Sequence, residues 1–480
     1  MNKHHAHPSH SIPRRDFLRG ALLASTFPFF ARASRGDEAA ARGTAPAGGK
    51  VNLACCGIGN RGADILLALH NTGLCNLVAF CDTDMGGAQT QKVLKQFPQV
   101  PRFQDFRKML DKMGAEIDAV SVGVPDHTHF PICMLAMSQG KHVYVEKPMA
   151  HTFQETALMM AAERKYKVAA QMGNQGHSGA NYFQFKAWTE AGLIKNVTRI
   201  VAHMNGARRW HPWGVLTELP AAEPIPETLD WDTWLGQVPF HDFAKRYVQG
   251  DWRCWYDFGN GALGDWGAHI LDTAHQFLDL GLPTEIEAVK LEGHSPVIFP
   301  VSSTLAFRFP ARGAMPPVEV MWYDGVKNLP PLPEGYGTSK AADDIPPPGG
   351  GSVQAATLAP GKEIYGEGLT FKGGSHSSTL EIIPKAKMKE MEKSLPDYPR
   401  KESDHFKNFL LACKGEETCR SNFAVAGPLS QMLMLGVIAQ KLNTKLTFDR
   451  VTQQITNNKV ANALLAGPPP RAGWEQFYKL

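Results

Sequence analysis

Short apolar runs alternate with stretches of helical periodicity between residues 51 and 172. The runs have the length and content of buried strands. The predicted strands are residues 51–56, 77–81, 119–124, 142–145 and 168–172. The predicted helices between them are residues 63–70, 89–97, 130–139 and 153–166. Because strands that alternate with helices favour a parallel sheet covered on both faces, residues 51–173 are predicted to form a doubly wound α/β domain.

The alternation ends near residue 173, and longer apolar runs follow, some with every second residue apolar. This pattern is typical of an antiparallel sheet with one exposed face. The predicted strands are residues 197–204, 285–291, 303–309 and 318–323, and the predicted helices are residues 404–413 and 424–442. Residues 325–351, rich in proline and glycine, predict an irregular excursion within an insertion near 325–375. We therefore expect residues 174–480 to form an α+β domain.

The net charge of the chain resides in its first residues. The formal net charge is +4, and residues 1–33 carry five basic side chains against one acidic one. The remainder is balanced, so the charge gives no reason to expect a nucleic-acid partner.

Residues 1–33 also have the order of parts expected of an export signal. Arg14 and Arg15 precede a short apolar run and an Ala-Arg-Ala site, which predicts a twin-arginine signal peptide and a periplasmic location. The alternative is a basic tail without fixed structure. Residues 34–50 are small and polar and predict a linker. No other apolar run is expected to be long enough to span a bilayer, so no stable membrane span is predicted once the signal is removed.

The eight cysteines form no recognisable disulfide or metal pattern, because no Cys-x-x-Cys occurs. Cys55, Cys56 and Cys81 lie in predicted strands, where cysteine behaves as a small apolar residue. This cysteine usage fits a protein that folds before export, and no metal is expected.

A glycine-rich motif follows the first predicted strand and opens a helix. It consists of Gly57, Ile58, Gly59, Asn60, Arg61 and Gly62. Its glycines suit a tight turn, close approach of the backbone to a pyrophosphate, and helix–strand packing. Asp82 ends the second strand, where a carboxylate accepts bonds from ribose hydroxyls and repels a 2′-phosphate. The motif therefore favours NAD over NADP; the alternative is a glycine-rich turn with a chance acid.

Lys147 lies at the carboxyl end of the strand 142–145, the edge at which ligands bind in open α/β sheets. Pro148 restricts Lys147 to an extended backbone. The alternative is an ordinary loop lysine paired with Glu146 in solvent, and the motif alone leaves both readings open.

A second polar constellation lies on a predicted helix after the glycine-rich stretch 259–264. Asp265, His269, Asp272 and Gln276 fall within about 60° of one another at helical spacing. They are interpreted as a solvated face with Asp265 as N-cap, as part of a metal site that lacks a third ligand, or as an acid/base pair. In the last case His269 exchanges protons and Asp265 orients it or the substrate.

These residues together resemble the Gfo/Idh/MocA oxidoreductases, named for glucose–fructose oxidoreductase, inositol dehydrogenase and a rhizopine-catabolism protein. The resemblance rests on GIGNRG, VPDHTH at 124–129, VEKP at 145–148, and WR followed by GALGDWGAHILD, and it covers residues 51 to about 310. It implies an N-terminal Rossmann domain and a second domain with an open, largely antiparallel sheet that often mediates homo-oligomerisation.

The resemblance also implies roles for individual residues. Lys147 would contact the nicotinamide ribose and the substrate hydroxyl, His269 would be the acid/base, and Asp265 would position the substrate. Pro125, His129 and Glu146 join the glycine motif and Asp82 as implied cofactor-binding residues. Implied substrate-binding residues are Asn174, Gln175, His177, Arg253 and Asp272. The chain departs from the family pattern at 172–178, in the cluster 208–213, where two tryptophans suit sugar stacking or core packing, and in the insertion near 325–375.

The sequence thus predicts an exported, NAD-dependent oxidoreductase that moves a hydride between nicotinamide and a hydroxyl-bearing carbon of a sugar or polyol. Lys147 would stabilise the developing alkoxide, and His269 would take the proton. One alternative is an NAD-dependent glycoside hydrolase or lyase that acts by transient oxidation and elimination, since some relatives work in this way. A second is a non-catalytic dinucleotide-binding sensor.

Overall fold

The computed structural model describes residues 49–206, 214–337, 358–398 and 403–480. The predicted signal peptide, all but the last two residues of the predicted linker, the cluster 208–213 and residues 338–357 of the insertion lie outside these ranges.

The first sheet has six parallel strands in the order β3-β2-β1-β4-β5-β6. These strands are β1 Val51–Cys56, β2 Cys75–Cys81, β3 Arg102–Phe103, β4 Ala119–Val122, β5 His142–Val145 and β6 Ala170–Met172. The order reverses between β1 and β4, which opens a crevice at the carboxyl ends of these strands. The predicted α/β class with a doubly wound parallel sheet is confirmed.

Helices cover both faces of this sheet and continue into the second half of the chain. The α-helices are α1 Asn60–Asn71, α2 Ala88–Gln96, α3 Phe106–Met113, α4 Asp126–Ser138, α5 Phe153–Tyr166, α6 Ala180–Glu190, α7 Trp231–Leu235, α8 Gly261–Phe277, α9 Lys385–Met391, α10 His405–Cys413, α11 Phe423–Leu442 and α12 Lys459–Leu464. The 3₁₀ helices are Gly114–Glu116, Gln175–Ser178, Lys245–Tyr247, Asp251–Cys254, Glu392–Ser394 and Glu475–Tyr478. Side-chain caps fix several starts: Thr152 and Glu155, for example, form a capping box on α5.

The second sheet has nine strands in the order β13-β12-β11-β7-β10-β9-β8-β14-β15. These strands are β7 Arg199–Met204, β8 Glu285–Glu292, β9 Ser302–Phe309, β10 Val318–Asp324, β11 Gly361–Tyr365, β12 Thr370–Gly374, β13 Glu381–Ile383, β14 Lys445–Asp449 and β15 Gln454–Ile455. Only β7 and β10 pair in parallel among these strands. The predicted, largely antiparallel α+β sheet is therefore confirmed, and two of its strands lie in the proposed insertion.

Two helices, α8 and α11, pack closely on each other behind this sheet. A Cβ at Gly267 would lie 2.5 Å from Leu433, and one at Gly436 would lie 2.5 Å from Leu263. The glycines therefore set the short distance between the two helices. By length and composition α11 is apolar enough to cross a membrane, which corrects the expectation that no run after the signal reaches that length. In this structure 78% of its most apolar window is buried, as in a core helix.

Candidate active site

The turn between β1 and α1 brings backbone segments into close contact. The φ angle of Gly57 is +76°, and a Cβ there would lie 2.4 Å from the Gly123 carbonyl oxygen. A Cβ at Gly62 would lie 2.1 Å from the Gly57 carbonyl oxygen. Glycine is therefore required for α1 to begin directly against the sheet. No side chain caps α1 at Gly59, so its first N–H groups suit a phosphate.

Asp82 directly follows β2, and its side chain bonds to the turn between β1 and α1. Its Oδ2 accepts the Ile58 N–H at 3.0 Å, and its Oδ1 accepts the Asp84 N–H at 3.0 Å. Burial raises the pKa of Asp82, although both N–H groups oppose this shift. Oδ2 also accepts a bond from the Thr90 hydroxyl at 3.4 Å, so it is Oδ1 that keeps a lone pair for a further donor. The glycine turn, the helix N-terminus and this carboxylate fit the phosphates and a ribose of a dinucleotide.

A single cavity of about 1280 Å³ runs from Asp82 to the start of α8. Its walls are the β1–α1 turn, the segments that follow β4 and β5, and part of a Trp-rich segment, defined as residues 214–258. The predicted site residues that line it are Gly57, Gly59, Asn60, Arg61, Asp82, Pro125, His129, Glu146, Lys147, Gln175, Arg253, Asp265 and His269. The structure therefore brings the three predicted catalytic residues and most of the predicted cofactor-binding residues to one space.

Five predicted site residues do not line the cavity: Ile58, Gly62, Asn174, His177 and Asp272. The Asn174 side chain instead accepts a bond from the Ser421 hydroxyl at 2.6 Å. His177 Nδ1 lies 3.4 Å from Asp272 Oδ2, and both side chains are buried behind the wall. Asn174, His177 and Asp272 therefore lie outside the cavity lining, and their direct contact with a substrate stays a prediction.

Lys147 projects from the end of β5 to α8. Its Nζ donates to Asp265 Oδ1 at 2.6 Å and to the Asp265 carbonyl oxygen at 2.8 Å. Arg253 Nε lies 3.5 Å from the same carboxylate oxygen. The Lys147 side chain is only 12% exposed, so the alternative of a solvated loop lysine paired with Glu146 is wrong.

Glu146 instead pairs with the glycine turn. Its Oε1 accepts bonds from Arg61 Nη2 at 3.2 Å and from Gln175 Nε2 at 2.9 Å. Burial alone would raise the pKa of Glu146, but Arg61 and Lys147 outweigh it and hold that pKa below its usual range. Glu146 therefore stays ionised and fixes Arg61 at the cavity wall.

The polar face of α8 is buried. Asp265, His269 and Asp272 are each under 10% exposed, so the alternative of a solvated helix face is wrong. Asp265 does not cap the helix either, since α8 begins at Gly261 after Asn260. The arrangement leaves His269 one turn beyond the Lys147–Asp265 ion pair, on the same cavity.

His129 serves the scaffold of the site. Its Nδ1 lies 2.9 Å from the Pro148 carbonyl oxygen, and its Nε2 lies 3.0 Å from the Val124 carbonyl oxygen. The ring therefore holds the segments after β4 and β5 together, beside Pro125 at the start of α4. Among the residues that the structure describes, no group of three or more His, Cys, Asp or Glu side chains is placed to hold a metal.

Sequence reasoning missed two parts of this site. Thr233, Trp234 and Trp252 of the Trp-rich segment line the cavity, as does His376 on the loop between β12 and β13. Apart from Trp252, which belongs to the WR motif, neither part carries a motif or a hydrophobic period that points to the cavity. Both reach it by tertiary contacts that join distant parts of the chain.

Two family models match the chain. An oxidoreductase family, NAD-binding Rossmann fold, matches residues 51–174, and an oxidoreductase family, C-terminal alpha/beta domain, matches residues 181–298. Both models describe the Gfo/Idh/MocA family, which confirms the resemblance derived from the motifs and supports NAD as the cofactor.

Curated relatives match over part of their length. A glycosyl hydrolase family 109 protein of Shewanella amazonensis is 27% identical over 161 residues, which cover 30% of this chain and 35% of the relative. An α-N-acetylgalactosaminidase of Shewanella oneidensis is 27% identical over 186 residues, covering 34% of this chain and 40% of the relative. The chain thus matches somewhat over a third of the length of these relatives.

Solved structures share the fold along most of their length. The WlbA dehydrogenase of Chromobacterium violaceum, in complex with NADH and UDP-GlcNAcA, has a TM-score of 0.56 at 14% identity and covers 84% of this chain and 96% of its own. An aldose–aldose oxidoreductase of Caulobacter crescentus, complexed with glycerol, has a TM-score of 0.52 at 15% identity and covers 83% and 100%. At these identities the likeness concerns the fold alone.

Proposed function

Because the chain belongs to the Gfo/Idh/MocA oxidoreductase family, we propose that it transfers a hydride between NAD and a hydroxyl-bearing carbon of a sugar or polyol. One observation carries this proposal: the Lys147–Asp265 ion pair and His269 lie on the same cavity as the glycine turn and Asp82. A non-catalytic sensor would not need a buried cation and an imidazole beside the nucleotide cavity.

At the end of the cavity formed by Lys147, Asp265 and His269, each residue has a distinct role. Bound nicotinamide supplies or accepts the hydride. The Lys147 ammonium, oriented by Asp265, binds the reacting hydroxyl oxygen and stabilises negative charge on it. His269 takes the hydroxyl proton, since imidazole exchanges protons near neutral pH. Arg253 Nε, 3.5 Å from Asp265 Oδ1, helps to hold that carboxylate in place.

A second candidate is redox-neutral cleavage of a glycoside. The names of the curated relatives favour it. A hydride would leave a ring carbon, the resulting ketone would acidify the neighbouring C–H, and loss of that proton would expel the glycosidic oxygen. Water would then add, and the hydride would return to the same carbon. Lys147 and His269 suit both reactions, so the product distinguishes them.

We further propose that the nucleotide is retained between turnovers. Residues of the Trp-rich segment bond to the loop after Asp82: the Asp230 N–H donates to the Thr83 carbonyl at 2.9 Å, and the Thr228 hydroxyl donates to Asp84 Oδ1 at 2.7 Å. These contacts close over the end of the cavity formed by Asp82. Slow release would suit the export proposed from residues 1–33, because free NAD is expected to be scarce outside the cytoplasm.

Purification without added nucleotide, followed by denaturation, tests retention, and the expected yield is close to one NAD(H) per chain. A panel of sugars and aryl glycosides, followed at the NADH absorbance band and by aglycone release, tests the reaction. Absorbance change without aglycone release supports the oxidoreductase, whereas aglycone release without net absorbance change supports the hydrolase. An empty protein that is active only with millimolar NAD would contradict retention.

A further inference from the structure

The loop between β12 and β13 brings His376 to the candidate active site. Its φ angle is +55°, a left-handed conformation that histidine adopts more often than most side chains. The His376 N–H donates to the His269 carbonyl oxygen at 2.9 Å. A Cβ at Gly176 would lie 2.6 Å from the His376 carbonyl group. The loop therefore packs directly on the Gln175–Ser178 turn and on α8. The loop itself lies after residue 298, where the second family model ends.

The imidazole of His376 covers one face of the His269 ring. The two ring centroids are 4.0 Å apart, and the rings are inclined by 18°. The indole of Trp266 meets His376 edge-on, with centroids 5.6 Å apart. Both imidazoles line the cavity. This contact limits the rotation of the His269 ring and keeps water from one of its faces.

We propose that His376 is a positioning residue for His269: its ring fixes the orientation of the His269 imidazole and excludes water from it during proton transfer. This inference rests on the proposed function, in which His269 takes the hydroxyl proton. The position of the ring matters, because a displacement of about 1 Å at a catalytic group can lower a rate about a hundredfold.

Burial, more than the charges around it, keeps the His376 ring neutral. Burial lowers the pKa of His376 to about 4, and Lys147 and Arg61 act in the same direction. Asp272 on α8 and Glu146 after β5 oppose the shift. The ring is therefore uncharged near neutral pH. An imidazole shielded from water stays neutral to lower pH, so it remains available there to accept a proton.

His376→Asn and His376→Phe separate the two parts of this proposal. Asparagine tolerates a positive φ but removes the ring, whereas phenylalanine keeps a ring over His269 without nitrogen atoms. We expect His376→Asn to lower kcat about tenfold and to move the acidic limb of the pH–rate profile to higher pH, because water reaches His269. His376→Phe should lose less activity and keep the limb near its wild-type position. The control is His294→Asn, because His294 is exposed and lies outside the cavity.

The titration of His269 gives a readout that needs no substrate. Spectra of protein with ¹³C-labelled histidine identify the His269 resonance by its loss in His269→Asn, and the same signal is followed in both His376 variants. Melting temperature and bound NAD(H) establish that the variants fold. If the wild type turns over no sugar, the proposed reaction fails while this titration still decides the role of His376. An unchanged His269 titration in folded His376→Asn would overturn the inference.

Discussion

The two ends of the cavity are built in opposite ways. The nucleotide end comes from one short stretch of chain, in which the Ile58 N–H of the glycine turn donates to the Asp82 carboxylate. The catalytic end joins side chains from distant elements: Lys147 and Asp265 are 118 residues apart in sequence, and His376 comes from a strand loop later still. A local motif therefore forms the nucleotide end, whereas tertiary packing brings the proposed catalytic side chains together.

This difference predicts different consequences of substitution. At the nucleotide end the binding groups are mostly N–H donors and a buried carboxylate, so changes there alter affinity. At the catalytic end the groups are charges paired across two domains, so changes there alter turnover. The comparison fails if variants at one end produce the effects expected of the other.

Lys147→Met is expected to have the largest effect. Methionine keeps the apolar stem and removes the ammonium, and loss of one preorganised electrostatic group lowers kcat by about a hundredfold or more. NAD(H) content should stay near that of the wild type. Turnover on a proven substrate and nucleotide released on denaturation measure the two quantities.

Lys112→Met is the matched control, because Lys112 is exposed on α3 and does not line the cavity. Near-normal turnover of Lys147→Met would make the Lys147–Asp265 ion pair a structural contact and would contradict its proposed role in catalysis. Loss of bound nucleotide together with turnover would show that the two ends are not separable.

The sequence predicts the nucleotide end well because each of its requirements is local. Apolar runs read as strands, and a glycine motif after a strand needs no knowledge of distant residues. The exceptions have physical causes. The strand Arg102–Phe103 has only two residues and so carries no periodicity. Helix α4 begins earlier than its apolar period because polar residues at its start, Asp126 among them, are buried.

The second sheet shows why the catalytic end is harder to predict. Strand β11 contains Lys362 and Glu363, which are 1% and 0% exposed. In the sequence, two adjacent charged residues are typical of an exposed loop, so this strand is missed. Strand β12 ends in Gly373 and Gly374, which have no side chain to mark a face. The sequence therefore predicts no strands after residue 323, and β11 and β12 fall within the insertion predicted near 325–375. The family resemblance implies that Lys147 and Asp265 belong to one site, but their ion pair is not predicted from the sequence and follows from tertiary packing.

Asp82→Ala should have a smaller effect, at the nucleotide end. We expect NAD affinity to fall about tenfold, or about 1.4 kcal/mol, because the ribose partner is lost and the Ile58 N–H loses its acceptor. Affinity for NADP should fall less, since the repulsion of a 2′-phosphate disappears as well. Titration of nucleotide-free protein with both dinucleotides measures the difference.

Asp111→Ala, on the exposed face of α3, controls for loss of a carboxylate elsewhere. Equal weakening of NAD and NADP would rule out the proposed contact with the ribose hydroxyls. A fall in kcat with unchanged affinity would contradict the division between the two ends.

Thr228→Val should have the smallest effect, and it tests whether the Trp-rich segment belongs to the nucleotide end. Valine keeps the shape of the side chain, which contacts Gly86, and removes only the hydroxyl that donates to Asp84 Oδ1. An exposed hydrogen bond contributes about 0.6 kcal/mol, so nucleotide release should become about threefold faster. Stopped-flow displacement of bound NADH by excess NAD measures this rate, and Thr217→Val, in the same segment, is the control. If the release rate stays at the wild-type value while Asp82→Ala changes affinity, retention does not depend on the bond between Thr228 and Asp84. If release accelerates while kcat is unchanged, this segment closes the nucleotide end without contributing to the chemistry.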